Sequence, residues 1–370
     1  MNSFMASVFD AACMVMVTYL VSRLDQYSNS CFKDAPLVGP YTAGRGFRFS
    51  VGVAAVCRAW MRLPVWAGCA VTYYLLVLMW VSVGLMDTVA FLKCRGDFGE
   101  TLGEAVELIG GLGDVGSPLV LKPNICTGDD HTGCANVKVE VVEALVERVL
   151  GEAPGTEIRV VESDSMSKFA DRAFERYGYR DFVDRLRGRG VDASLVNLSG
   201  SPLAGFKLDG GYFKDPMLPA PLADAGGFAS VALAKTHSLT MVTGCLKNMF
   251  GLLPRKDQSF YHPDIHDVVL DLNTLFRSRL CLVDGRTGLE GVISGRPRRL
   301  GCVILGRNPV SVDATMARAM GFDPGRIRHI VEAARRGLGS LHPRVVGDDV
   351  EGSRVEFRAP SGLSADAVLE

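Results

Sequence analysis

The sequence predicts an α/β fold: a mostly parallel sheet with helices on both faces, preceded by a hydrophobic helical N-terminal extension. Three observations carry that expectation. From about residue 96, short apolar runs of strand length alternate with segments whose apolar residues recur at helical spacing. Glycine-containing turns separate them. Charge divides at the same place, with eight Lys or Arg against four Asp or Glu in residues 1–95 and 32 against 37 in the remainder. A chain of 370 residues that is 48% hydrophobic and 22% charged can bury a large core, which excludes a disordered protein. Its formal charge of −1 argues against nucleic acid as a partner, because such binding rests on a basic surface.

Within the extension, residues 63–86 contain no charged side chain. At about 1.5 Å per residue that run can cross a hydrocarbon core of about 30 Å. A transmembrane helix is therefore expected at 63–86, with membrane association through it; without it the protein would be cytoplasmic. Arg58 and Arg62 on one side balance Lys93 and Arg95 on the other, so the positive-inside rule gives no orientation.

The elements follow in order. Thr101 and Glu104 form a capping-box pair before a helix that Gly110 and Gly111 stop. Residues 118–122 (PLVLK) read as a buried strand, and 137–150 as a helix with Val141, Val142, Leu145 and Val149 on one face. A strand at 157–162, a helix at 167–177 closed by Gly178, and strands at 191–198 and 229–235 come next. The Gly-, Pro- and Ala-rich stretch 200–227 reads as a long loop or a hairpin insertion. A helix at 264–276, strands at 280–284 and 302–305, and helices near 310–320 and 325–337 complete the alternation. The expected division is an extension (1–95), an α/β domain (96–345) and a tail (346–370) with a short strand at 354–358.

Some apparent motifs fail on context. Gly111, Gly113 and Gly116 match G-x-G-x-x-G, but they follow a helix and precede a strand, the reverse of a dinucleotide site. The ten cysteines contain no C-x-x-C pair, so an ordinary zinc ribbon or cluster-binding run is absent. Cys126 and Cys134, with His131 between them, and the i,i+4 pair His262 and His266 are the candidate ligands for a divalent metal or an iron–sulfur cluster.

The chemistry concentrates where strands should end, which is where ligands collect in parallel sheets. Lys122 and Asn124 close one strand; Lys235 and His237 close another, followed by Thr240, Lys247 and Asn248. Asp284 is expected to end a strand, with Glu290 in the loop after it. Three lysines beside Asn, Thr and His donors suit a small anionic ligand, a phosphate or a carboxylate. In this expectation Lys122, Asn124, Thr240 and Asn248 bind the anion. Lys235, His237, Lys247, Asp284 and Glu290 are the catalytic candidates, with His237 handling a proton.

These residues also resemble a known family. Lys122-Pro123-Asn124, Lys235-Thr236-His237, and Thr243-Gly244 through Lys247-Asn248 to Gly251 and Pro254 are similar to the family called domain of unknown function 362. So are Val283-Asp284-Gly285, Glu290-Gly291, Asn308-Pro309-Val310 and Val312-Asp313. The resemblance covers about residues 100–340 and implies no established activity. Many members carry a ferredoxin-like segment with cysteine runs for two iron–sulfur clusters, which this sequence lacks. It also departs in having Ser311 where Ala is more usual. The expected function is an enzyme acting on a small anion as an isomerase, lyase or hydrolase. The rivals are a metal or iron–sulfur accessory protein and a membrane-tethered anion-binding module without turnover.

Overall fold

A computed structural model describes residues 88–369. The uncharged run 63–86 and most of the expected extension lie outside those residues. Among the described residues no helix is long and apolar enough to cross a membrane.

The chain enters with β1 (Thr88–Lys93) and α1 (Phe98–Leu108), then β2 (Leu119–Pro123), α2 (Val139–Glu152) and β3 (Ile158–Glu162). Next come α3 (Ala170–Arg176), α4 (Tyr179–Gly188) and β4 (Ala193–Asn197). Of the two readings of 200–227, a long loop or a hairpin insertion, the structure has the hairpin: β5 (Leu203–Gly205) pairs antiparallel with β6 (Met217–Pro219). The long β7 (Gly227–His237), the short β8 (Met241–Val242) and α5 (Gly244–Asn248) lead to α6 (Ile265–Leu275). The second half closes with β9 (Ser278–Gly291), β10 (Gly295–Arg298), β11 (Cys302–Gly306), α7 (Pro309–Ala319), α8 (Arg328–Arg335) and β12 (Arg344–Gly347).

The main sheet runs β12-β1-β11-β9-β7-β2-β3-β4. Every neighbouring pair from β9 to β4 is parallel, and so is β12 with β1. Along this path β11 runs against its neighbours, β1 and β9, and the short β10 and β8 add antiparallel to β9 and β7. Alternate strand residues feed two cores. Leu119, Leu121, Ala229, Val231 and Leu280 face α1 to α4, while Val120, Ala232, Cys281 and Val283 face α5 to α8. Helices therefore cover both faces, the four from the first half of the fold on one side and the four from the second half on the other.

Several local expectations need correction. The cap of α1 is Asp97, whose carboxylate accepts from Glu100 N at 3.0 Å; Thr101 lies inside the helix. The polar face of α4 hid a second helix beyond Gly178, which is left-handed and starts it. Gly111, Gly113 and Gly116 all have positive φ and build a helix-to-strand turn, as their context required. Residues 354–358 are not a strand. Val355 N and Phe357 N donate to Ala319 O and Met320 O at the end of α7, so their alternating side chains dock on a helix, not on a sheet edge. The edge position belongs to β12, which straddles the expected start of the tail at 346.

Strand β1 lies before residue 96 yet pairs with β11 and β12 on its two sides. Val89, Ala90 and Phe91 are fully buried and Leu92 is 4% exposed. Each buried Val, Leu or Phe side chain contributes about 2 kcal/mol, against a whole-domain stability of about 5–15 kcal/mol. A chain starting at residue 96 is therefore expected to lose its cooperative thermal transition, whereas one starting at residue 86 retains it. Matching melting curves for the two would refute this account of the sheet.

Candidate functional site

Because β2, β3 and β7 are parallel, their carboxyl ends share one edge of the sheet, and a cavity of 280 Å³ opens there. Lys122 and Asn124 reach it from β2, Glu162 from β3 and His237 from β7. Lys168, Lys247, Asn248, Cys126, Thr243 and His262 add to the polar lining, with Ser165, Ser167, Gln258 and Ser259 at its margin. Met166, Phe250, Val292 and Ile293 supply apolar wall.

Its floor is a buried ion pair. Lys122 Nζ lies 2.8 Å from Glu162 Oε2 and 2.7 Å from Pro123 O, and the two residues are 2% and 0% exposed. Burial pulls the Lys122 ammonium below its ordinary range, with Glu162 opposing. Lys168 stands 3.6 Å from the other Glu162 oxygen, which also accepts from Ser163 N at 2.9 Å. Asn248 ties α5 to this floor. Its Nδ2 donates to Lys122 O at 2.7 Å and Ser230 Oγ at 3.0 Å, while its Oδ1 accepts from Asn124 Nδ2 at 3.1 Å. Gly251 packs directly over the pair: a Cβ there would lie 2.5 Å from Lys122 Cε and 2.9 Å from Glu162 Oε1.

Helix α5 is held by Asp313 of α7, whose carboxylate accepts from Cys245 N at 2.6 Å and Leu246 N at 2.9 Å. Burial pushes the Asp313 carboxyl up to about 7, and the two backbone donors oppose that rise. This anchoring sets Lys247 over the Phe250 ring at 4.2 Å. Among the described residues Lys247 has no hydrogen-bond or ion-pair partner. Burial lowers its ammonium to about 8; Cys126 opposes the shift, and Lys235, Lys122 and Lys168 add to it.

His237 is 8% exposed, and its Nδ1 accepts from Leu239 N at 3.1 Å. That bond leaves the proton of the neutral ring on Nε2. Burial, then the charges of Lys247 and Lys235, hold its pKa well below the usual imidazole value, so the ring is neutral at physiological pH. His237 is thus a hydrogen-bond donor at the cavity, not a cation.

Lys235 is not exposed to the cavity. It is fully buried, and its Nζ contacts Cys126 Sγ at 2.9 Å, Ala135 O at 2.8 Å and Val292 O at 3.2 Å. Beside it the register of β7 against β9 shifts: Leu233 pairs with Asp284 but Lys235 with Leu289. Such an irregularity re-aims a side chain.

Other expected residues lie elsewhere. Thr240 is buried and donates to Val242 O at 2.9 Å, closing a turn. Strand β9 runs on to Gly291, so Asp284 sits mid-strand and not at a strand end. It is held by Arg286 at 2.8 Å, and Glu290 pairs with Arg298 at 3.4 Å and accepts from Arg358 N at 2.9 Å; neither lines the cavity. Cys126 lines the cavity but Cys134 does not, being buried against Ala135 and Leu289. His131 points outward beside Asp129 at 3.0 Å. His262 lines the cavity, whereas His266 is buried against His329, their ring centroids 6.2 Å apart. Among the described residues no three His, Cys, Asp or Glu side chains come together as a metal site.

Glu162, Lys168 and Thr243 were missed as site residues. Glu162 carried a usable signal, a carboxylate ending the strand after the one that Lys122 ends. Lys168 sits in an irregular loop and carried none.

Every residue lining the cavity falls between 119 and 318, and that stretch matches the model of the family described as domain of unknown function (DUF362). The chain belongs to the DUF362 family. The match begins at β2 and ends within α7, so it includes both the cavity and the Asp313 anchor. A relative is a thylakoid-associated protein of Synechocystis sp., 25% identical over 246 residues, which cover 63% of this chain and 73% of the relative.

In this DUF362 chain, Glu162→Gln strands a buried ammonium and is expected to lower unfolding free energy by about 3–5 kcal/mol. The double variant Lys122→Met, Glu162→Leu should lose less than the single one. Urea denaturation of both measures the difference, and a larger loss in the double variant would contradict the ion-pair assignment.

Proposed function

We propose that the protein is an enzyme whose substrate is a small carboxylate or phosphate, anchored by Lys247 at the carboxyl ends of β2, β3 and β7. The observation that carries this reading is the difference between Lys247 and the other three lysines. Lys122 and Lys168 share Glu162, and Lys235 is saturated by Cys126 and two carbonyls. Lys247 alone lines the cavity without a partner among the described residues. A lysine lifted partly out of water without a counter-charge gains when an anion arrives. The volume of 280 Å³ suits a ligand smaller than a nucleotide.

The neutral His237 offers an N–H to the same ligand, and Asn124 and Asn248 fix the strand ends beneath it. Isomerisation, elimination and hydrolysis of a small anion each need a charge anchor beside a group that donates a hydrogen bond or a proton. Asp284 and Glu290 have no part in this reading, since both are committed to arginines outside the cavity. The uncharged run 63–86 and the thylakoid-associated relative together support a site of action at a membrane.

The charge of Lys247 sets the pH dependence. Its pKa, about 8, lies below its ordinary value of 10.5, so the ammonium is present at neutral pH and is lost as pH rises through 8. Sulfate stays a dianion over this range. Its affinity by calorimetry is therefore expected to be level below pH 7 and to fall about tenfold per unit well above pH 8. The Lys247→Met variant should bind sulfate weakly at every pH. Undiminished binding by Lys247→Met, or none by the unaltered protein, would defeat the reading.

A further inference from the structure

The surroundings of Cys126 assign it a chemical role that anion binding alone does not need. Its sulfur is half-buried, lines the cavity and stands 2.9 Å from the ammonium of Lys235. Lys235 is 0% exposed, and its other contacts are the neutral carbonyls of Ala135 and Val292. Among the described residues no carboxylate pairs with it. A fully buried ammonium is expensive without an opposite charge, and the sulfur is the one atom among its three contacts that can supply it.

The backbone holds the sulfur in this position. Asn136 Oδ1 accepts from Cys126 N at 2.7 Å and from Thr127 N at 3.2 Å. The Asp130 carboxylate gathers the Thr132, Gly133, Ala135 and Asn136 amides at 2.9–3.0 Å, which fixes the loop that brings Asn136 round. A second observation is independent of the cysteine. Thr243 lines the same cavity at 4% exposure, and its hydroxyl has no hydrogen-bond partner. An orphaned buried hydroxyl beside an unpaired lysine marks a place that a polar ligand completes.

We propose that Cys126 is the nucleophile of this cavity, its sulfur bonding to an electrophilic carbon of a small molecule whose carboxylate or phosphate rests on Lys247. This inference stands on the anion-site reading above and names the reacting atom within it. Burial alone raises the pKa of the Cys126 thiol, but Lys235, through its charge and hydrogen bond, together with Lys168 and Lys247, outweighs burial and leaves it lowered. The reacting form is the thiolate that faces the Lys235 ammonium, so no thiol proton has to leave in the step. Its electron pair makes the S–C bond, the carbon's bond to its leaving group breaks, and that group departs with the bonding pair. The neutral His237 donates a hydrogen bond from its N–H to the departing group and keeps its proton. No oxidant or reductant enters the step.

Two alkylating probes of nearly equal size test this in the full chain. Iodoacetate carries a carboxylate and iodoacetamide is neutral; each forms an S–C bond and releases iodide. Half-buried Cys94 lies outside the cavity lining and serves as the internal reference. Peptide mass spectrometry is expected to show iodoacetate favoured over iodoacetamide at Cys126 by about tenfold more than at Cys94. Inorganic phosphate should slow the Cys126 reaction and not the Cys94 reaction. In Lys247→Met the selectivity should fall to that of Cys94. If sulfate binds as expected but Cys126 reacts no faster than Cys94, the nucleophile assignment is overturned and the anion site stands. If Cys126 reacts rapidly with both probes without favouring iodoacetate, Lys247 is not the anchor and the proposal fails in its substrate class.

Discussion

The site is built over two opposite charges that have almost no water. Lys122 and Glu162 end neighbouring parallel strands, and the parallel register puts them side by side at the same edge. Neither can be left alone in that environment, so everything around them is arranged to hold the pair. Gly251 leaves room for it, Asn248 ties helix α5 to the strand that carries Lys122, and Lys168 adds a second cation to Glu162. Helix α5 in turn presents Lys247, and Asp313 of the neighbouring α7 fixes the start of that helix. The free lysine is therefore positioned by the paired ones.

Four lysines of identical chemistry thus carry four different duties. Lys122 neutralises a buried carboxylate, Lys168 supplements it, Lys235 compensates a sulfur, and Lys247 is left uncompensated over an aromatic ring. The cavity carries excess positive charge although the chain as a whole carries −1. The local balance depends on which cation has been given a partner, and only three-dimensional packing decides that.

This distinction also marks how far the sequence could be read. Alternating apolar runs located the strands of the parallel half, because a strand covered on both faces must be apolar nearly throughout. Their polar last residues then pointed to Lys122, Asn124 and His237, which the cavity does bring together. The reading failed where a strand did not stop. Asp284 resembled a strand end because Gly285 and an arginine follow it, but β9 continues through a shifted register, which local pattern does not reveal. Lys235 also ended an apolar run, yet the register shift beside it sends its amine to Cys126 and away from the cavity. Spacing sets Cys126 beside Cys134 as a candidate metal ligand, but its sulfur contacts the ammonium of a lysine 109 positions away, a pairing that local spacing does not reveal.

The placement of β1 bears on how the chain comes to be folded at all. Its partners on both sides come from the other end of the sequence: Val89 lies opposite Gly306, and Lys93 N bonds to Asp348, 255 positions later. A ribosome adding about 5–20 residues per second makes those partners only tens of seconds after β1 has been synthesised. The β2–β3–β4 layer and its helices can assemble during that interval, since their contacts are close in sequence. Leu92 can pack on α1 at once, but Val89 and Phe91 face the core that the second half of the chain completes, next to a still longer apolar run upstream. The two outward edges of that strand stay without their pairing partners until β11 and β12 are made.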